Sequence, residues 1–169
     1  EVIVNGNPDV KVKPSAAFRP PIIPSVDELT EFPRGHKQLL MELGPERFAK
    51  HIRDSKQVLF TDTTFRDGHQ SLLATRVRTQ DMLAVASGFA KTFPNLFSME
   101  VWGGATFDVA MRFLHESPWK RLEEFREAMP NMLLQMLFRG SNAVGYSAYP
   151  DNLIEKFVEK SSESGIDVF

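Results

Sequence analysis

FTDTTFRDGHQSLLATRVR, residues 60–78, is the stretch whose reading decides the fold. An apolar run, Val58-Leu59-Phe60, leads into Asp62-Thr63-Thr64 and then Arg66-Asp67-Gly68-His69-Gln70. The chain turns apolar again at Leu72-Leu73-Ala74. A buried parallel strand that delivers a carboxylate, a guanidinium and an amide at one end is a common way to build a reaction site. The same residues also suit a plain turn with a surface ion pair, so the neighbours must decide.

Working outward, strand, loop and helix repeat. The first strand is expected over residues 57–64. Thr79 is the expected N-cap of a helix through Lys91, with Met82, Ala86, Phe89 and Phe93 on one stripe. Residues 95–103 (NLFSMEVWG) read as a second strand ending at Gly103-Gly104. A helix then carries Phe107, Ala110, Met111 and Leu114. Ser117-Pro118 stops it and caps the next, where Leu122, Phe125 and Met129 line one side before Pro130. Residues 131–140 (NMLLQMLFRG) form a third strand, almost continuously apolar, as a strand covered on both faces must be. Pro150 opens a helix with Leu153, Ile154, Phe157 and Val158 inward, Gly165 ends it, and residues 166–169 begin a fourth strand.

Strands separated by helices call for parallel pairing with right-handed crossovers, in an α/β fold. Two closures satisfy this: an open doubly wound sheet and a TIM (β/α)8 barrel. No G-x-G-x-x-G fingerprint follows the first strand, which weakens the dinucleotide-binding sheet. Polar residues instead cluster after three successive strands: Arg66 to Gln70, Trp102 to Asp108, then Arg139, Asn142 and Tyr146. Sites fed by several strand ends mark the C-terminal face of a barrel, and a complete barrel needs roughly 250 residues. The expectation is therefore the first half of a barrel, about four βα units over residues 57–169.

Pro8, Pro14, Pro20, Pro21, Pro24 and Pro33 crowd residues 1–35, more than half of the chain's 11 prolines. Proline fixes φ and removes a donor, so this stretch is expected to be an extended interdomain linker. Residues 36–56 read as a short helical lead-in: one helix after Gly35, another restarted by Gly44-Pro45 with Phe48 and Ile52 on one face. The chain begins at Glu1 without Met and stops in an incipient strand, so both ends read as cut.

Composition narrows the function. Across 169 residues the hydrophobic share is 42%, the charged share 25% and the net charge −2, with basic residues dispersed. That gives no electrostatic basis for binding nucleic acid or an anionic membrane. No apolar run approaches the ~20 residues of a membrane-spanning helix. With no cysteine, disulfides and thiolate metal sites are excluded.

Among the polar residues, Asp67 is the natural candidate for a metal ligand, because a carboxylate on a rigid strand end is preorganised. One carboxylate does not make a site, and no H-x-H or H-E-x-x-H pair is present. His69 reads either as a second ligand or as a packed loop residue. Arg139 is either a carboxylate-binding fork or half of a structural ion pair. Tyr146 offers a phenolic donor or simple packing, and Gln70 can donate to a carbonyl oxygen. Asp108 is ambiguous, since the helix dipole favours an acid in a first turn.

Three long motifs then fall in order and at matching separations. Residues 61–76 (TDTTFRDGHQSLLATR), 100–108 (EVWGGATFD) and 137–146 (LFRGSNAVGY) closely resemble the carboxyltransferase domain of the pyruvate carboxylase family. The motifs are shared with oxaloacetate decarboxylase and transcarboxylase subunits; the Pro-rich connector favours pyruvate carboxylases. A biotin-independent metal lyase or aldolase barrel is the runner-up, and a non-catalytic assembly scaffold is the alternative of another class. Retention of Arg66, Asp67, Gln70, Arg139 and Tyr146 together speaks for an enzyme.

The resemblance implies a barrel that moves a carboxyl group from carboxybiotin to pyruvate, giving oxaloacetate. It implies Asp67 as a ligand of a divalent metal such as Zn or Mn, and Gln70 and Arg139 as pyruvate contacts. Arg66 and Tyr146 would lie beside the enolate and the biotin ring, with Asp108 helping to place the biotin or Tyr146. It implies biotin on a carrier domain, ATP used by a biotin carboxylase domain, and a homo-oligomer, a tetramer at full length. The location would be the bacterial cytoplasm or the mitochondrial matrix. The family's other metal ligands, two histidines and a modified lysine, and its proton-shuttling threonine belong to later strands. The chain alone is therefore expected to be inactive.

Overall fold

The computed structural model describes residues 20, 22, 23, 25, 27 and 29–169. The expected linker lies largely outside the described residues, and those described before Gly35 belong to no helix or strand. Three parallel strands stand side by side in sequence order: β1 (Thr61–Asp62), β2 (Ser98–Trp102) and β3 (Leu133–Met136). Thr61 lies opposite Ser98, and Ser98 opposite Leu133. Where a fourth strand is expected, Val168 makes a single parallel bridge to Gln135. Helices α1 (His36–Leu43) and α2 (Pro45–Asp54) precede the sheet. Between and after the strands come α3 (His69–Leu73), α4 (Thr79–Thr92), α5 (Gly104–Val109), α6 (Pro118–Ala128) and α7 (Asp151–Glu163).

One face of the sheet carries the core. Met99, Val101, Trp102, Leu134 and Met136 pack with Met82, Ala86 and Ala90 of α4 and with Leu122 and Phe125 of α6. Trp102 meets Phe107 at 4.7 Å, Trp119 at 5.0 Å and Phe157 of α7 at 6.4 Å between ring centroids, so three helices are gathered on one indole. The opposite face is mostly polar, with Leu133 buried among its polar residues. Thr61 Oγ1 and Ser98 Oγ are 2.8 Å apart, and Ser98 Oγ donates to Gln135 Oε1 at 2.8 Å. Glu100, two residues beyond Ser98 and opposite Gln135, shares that face. The register shifts between Glu100 and Trp102. Such a bulge re-aims the side chain that follows it, which is how Trp102 joins the apolar core.

The lead-in helices close the end where the strands start. Lys37 N donates to Asn131 O at 3.2 Å, His36 Nδ1 lies 2.9 Å from Leu96 O, and Phe48 stacks on Phe97. Those partners immediately precede β2 and β3. The C-terminal ends of the strands are thereby left on the opposite side.

Several local expectations are corrected. The strands are shorter than the 57–64, 95–103 and 131–140 spans. Val58 and Phe60 are 78% and 67% exposed, because β1 has a strand neighbour on one side only and the residues entering it are uncovered. Thr79 is the first residue of α4 rather than its cap; its hydroxyl donates to Glu116 Oε2 at 2.6 Å. Phe93 is exposed because α4 ends at Thr92 and Phe93 leaves helical geometry. Met111 falls in a π-helical turn, Ala110–Leu114, whose wider winding rotates it off the buried stripe. Leu153 is exposed too, so the inward face of α7 starts later, with Phe157 against the core. Ser117 caps α6 as expected, accepting from Lys120 N at 3.3 Å.

Candidate active site

The polar stretch after β1 is wound rather than looped. Asp62 Oδ1 accepts from Thr64 N at 2.8 Å, and Thr63 O accepts from both Arg66 N (3.0 Å) and Gly68 N (2.9 Å). The second bond spans five residues and closes a π-helical turn, Thr64–Gly68, that runs directly into α3. Wide turns of this kind recur at functional sites because they force a side chain out of the ordinary helical sequence of directions.

Arg66 is the residue so placed. It is 8% exposed, and its guanidinium is clamped between two carboxylates. Nε and Nη2 both reach Glu100 Oε1 at 2.5 Å, and Nη1 donates to Asp67 Oδ1 at 3.0 Å. Glu100 is 4% exposed, whereas the Asp67 side chain is 49% exposed. A buried cation needs a partner within hydrogen-bond reach, since desolvation otherwise costs several kcal/mol; Glu100 supplies it from the neighbouring strand. Glu100 is the site residue that motif reading passed over. Its signal was a carboxylate in the middle of an otherwise apolar strand.

Glycines bring the three strand ends together. A Cβ on Gly103 would sit 3.1 Å from Arg66 Cδ, and one on Gly104 would sit 3.3 Å from Val144 O. The first loop thus touches the second, and the second touches the third. Around this contact the expected residues are distributed unevenly. Arg66 and Asp67 are joined. Gln70 is half-buried on α3. Arg139 is exposed where β3 turns into a short 3-10 segment, and Tyr146 is 83% exposed. Asp108 accepts from Arg112 Nη1 at 3.1 Å, a pair within one helical turn. No hydrogen bond links Asp108, Arg139 or Tyr146 to Arg66 or Asp67 among the described residues.

His69 takes the packed reading. It is 5% exposed and its Nε2 lies 2.9 Å from Phe65 O, which makes Nε2 the protonated nitrogen. Burial holds it below the ordinary histidine value, with the Arg121 and Arg66 charges adding to the effect. Among the described residues no group of three or more His, Cys, Asp or Glu is placed to hold a metal. Asp67 fits as one ligand of several: both of its hydrogen bonds, from Arg66 and Ser71, fall on Oδ1. Its half-exposed carboxylate keeps Oδ2 available to a hard cation. A cleft of about 400 Å³ between Asp27, Thr30, Val85, Phe89 and Phe93 contains none of these residues.

No protein-family model matches the chain. It is 56% identical over 168 residues to pyruvate carboxylase of Bacillus subtilis and 54% identical over 169 residues to the mitochondrial pyruvate carboxylase of Homo sapiens. Each match covers 99% of this chain, but only 15% and 14% of those relatives. The carboxyltransferase domain of Rhizobium etli pyruvate carboxylase, solved with pyruvate and with oxamate and biotin, superposes with a TM-score of 0.85 at 52% identity. These superpositions cover 99% of this chain and 29% of that domain. No described helix is long and apolar enough to cross a membrane. The chain therefore belongs to the pyruvate carboxylase family, of whose carboxyltransferase domain it forms a part.

Proposed function

We propose that this segment supplies the first strands of a (β/α)8 barrel and the first wall of a site that moves a carboxyl group from carboxybiotin to pyruvate. The observation that carries the reading is the Arg66–Asp67 pair, fixed by buried Glu100 at the end of a parallel strand. Sequential order β1-β2-β3, helices on one face and a mostly polar opposite face support the barrel. Residues 1–35 serve as the linker, 36–56 as the lead-in, and 57–169 as the barrel portion.

In this reading Arg139 forks onto the pyruvate carboxylate and Gln70 donates to the carbonyl oxygen, fixing the methyl group toward the incoming carboxyl. Asp67 presents Oδ2 to a divalent metal, and Arg66 lends positive charge to the enolate oxygen as it develops. Tyr146 and Asp108 border the space for the biotin ring. When bound, the metal polarises the carbonyl and biotin delivers the carboxyl group. Biotin carboxylase and biotin carrier domains of the same polypeptide are the partners, ATP is used by the former, and the working form is a homo-oligomer. The setting is the cytoplasm of a bacterium or the mitochondrial matrix of a eukaryote.

The test is Arg139→Ala in the full-length enzyme. Oxaloacetate formation is expected to fall by about 10²-fold or more, while bicarbonate-dependent ATP cleavage in the other domain persists. Equal oxaloacetate formation by variant and parent would overturn the assignment.

A further inference from the structure

We infer that Glu100 is a positioning residue for the metal end of this site, acting by balancing the charge of Arg66 so that Asp67 is left free to bind a cation. The inference rests on the reading of Asp67 as a metal ligand. Arg66 has two carboxylate neighbours, and they are not equivalent. Glu100 is buried and accepts one hydrogen bond from Nε at 2.5 Å, with Nη2 2.5 Å from the same oxygen in the ion pair; Asp67 is half exposed and accepts one from Nη1 at 3.0 Å. The guanidinium is thus neutralised chiefly by the carboxylate that cannot reach solvent. Gly103 closes the cage, because any side chain there would press on the Arg66 stem.

Without the Glu100 charge, the whole positive charge of Arg66 would fall on Asp67. A carboxylate already committed to a guanidinium is a poorer metal ligand, and groups outside the ligand set that orient a ligand typically change metal affinity by 10–100-fold. Glu100 also holds the Arg66 side chain against β2. The strand that looks purely structural in sequence therefore sets the electrostatics of its neighbour's terminus.

Two substitutions separate charge from shape. Glu100→Gln keeps the volume and removes the charge; Glu100→Asp keeps the charge and shortens the reach. Each is made in the full-length enzyme, stripped of metal by chelation and titrated with Mn²⁺, with the thermal midpoint and the pyruvate KM and kcat measured alongside. A charge-balancing role gives about tenfold or greater loss of Mn²⁺ affinity in Glu100→Gln, a smaller loss in Glu100→Asp, and a fall in kcat that exceeds any rise in KM. Three results overturn it: Mn²⁺ affinity within twofold of the parent in Glu100→Gln, a larger loss in Glu100→Asp than in Glu100→Gln, or unfolding of both variants. Asp67→Asn is titrated in parallel. If that variant binds Mn²⁺ like the parent, Asp67 is not a ligand, and the parent reading fails independently of Glu100.

Discussion

Lys37 Nζ lies 2.5 Å from Asp167 Oδ1, joining the first described helix to the last residues of the chain. The other Asp167 oxygen accepts from Arg126 Nη2 at 2.8 Å and from Leu134 N at 2.9 Å. One carboxylate, its side chain 4% exposed, thereby fastens α1, α6 and β3 to the chain end. Burial draws the Arg126 guanidinium below its ordinary value and the Asp167 charge opposes this. Removing the carboxylate leaves two cations, Lys37 and Arg126, unpaired and mostly out of water. Asp167→Ala in the full-length protein is expected to destabilise this domain by about 3–5 kcal/mol, read as a lower midpoint in denaturant. A change under about 1 kcal/mol would show the clamp to be surface-like.

Gly35 makes a second, purely steric join. A Cβ there would fall 2.3 Å from Asn131 O and 3.2 Å from Pro94 O, both backbone atoms that cannot rotate away. Its φ of −130° is open to any residue, so the constraint is space rather than conformation. Gly35→Ala is expected to displace α1 from the sheet and cost about 1–3 kcal/mol, the usual penalty for overpacking. Unchanged thermal stability would refute the close approach.

Much of this was legible in the sequence, for reasons that name its limits. The helices over α4, α6 and α7 follow from apolar spacing and from Ser117-Pro118 and Pro150, where local chemistry and tertiary packing agree. The ends of β1 were not legible, because Val58-Leu59-Phe60 has strand composition, yet the Val58 and Phe60 side chains are exposed and the backbone pairing before β1 is a single bond from Phe97 N to Phe60 O. Asp67 and Arg66 were visible as a pair, and the wide turn that presents them was not, since a π-helical turn has no residue signature. Glu100 was overlooked because its role depends on pairing with a residue 34 positions away, a relation that register supplies and periodicity does not.

The acid behaviour of the Thr79–Glu116–Arg121 knot has a definite sign. Burial alone would push the Glu116 carboxyl up, but the hydroxyl of Thr79 at 2.6 Å and Arg121 Nη2 at 2.7 Å bring it below its ordinary value of 4.5. A carboxyl depressed in the folded state contributes stability that is complete above the unfolded value and is lost as pH falls through the folded one. Stability of the parent is therefore expected to drop as pH is lowered below about 4.5, and Glu116→Gln is expected to flatten that part of the profile. The check is denaturant unfolding at a series of acidic pH values; parallel profiles for the two proteins would remove Glu116 from the account.

The open side of β1 sets the behaviour of the 169-residue chain by itself. β1 pairs with β2 on one side, and Val58 and Phe60 stand exposed beside its other edge. Leu137 and Phe169 are exposed near the last strands, at 45% and 46%. Unpaired strand N–H and C=O groups next to apolar side chains are a template for pairing with another chain. The chain expressed alone is accordingly expected to self-associate through this edge, with sedimentation showing species larger than the monomer at micromolar concentration. Phe60→Lys places a charge at the edge and is expected to shift the distribution toward monomer. The proposed metal site has a counterpart here: among the described residues no three His, Cys, Asp or Glu are grouped to hold a metal, and Asp67 alone is too small a ligand set, so on the proposal that Asp67 is a ligand Mn²⁺ should bind the isolated chain far more weakly than the full-length protein. A monomer that unfolds cooperatively would show that the edge is protected within the chain itself.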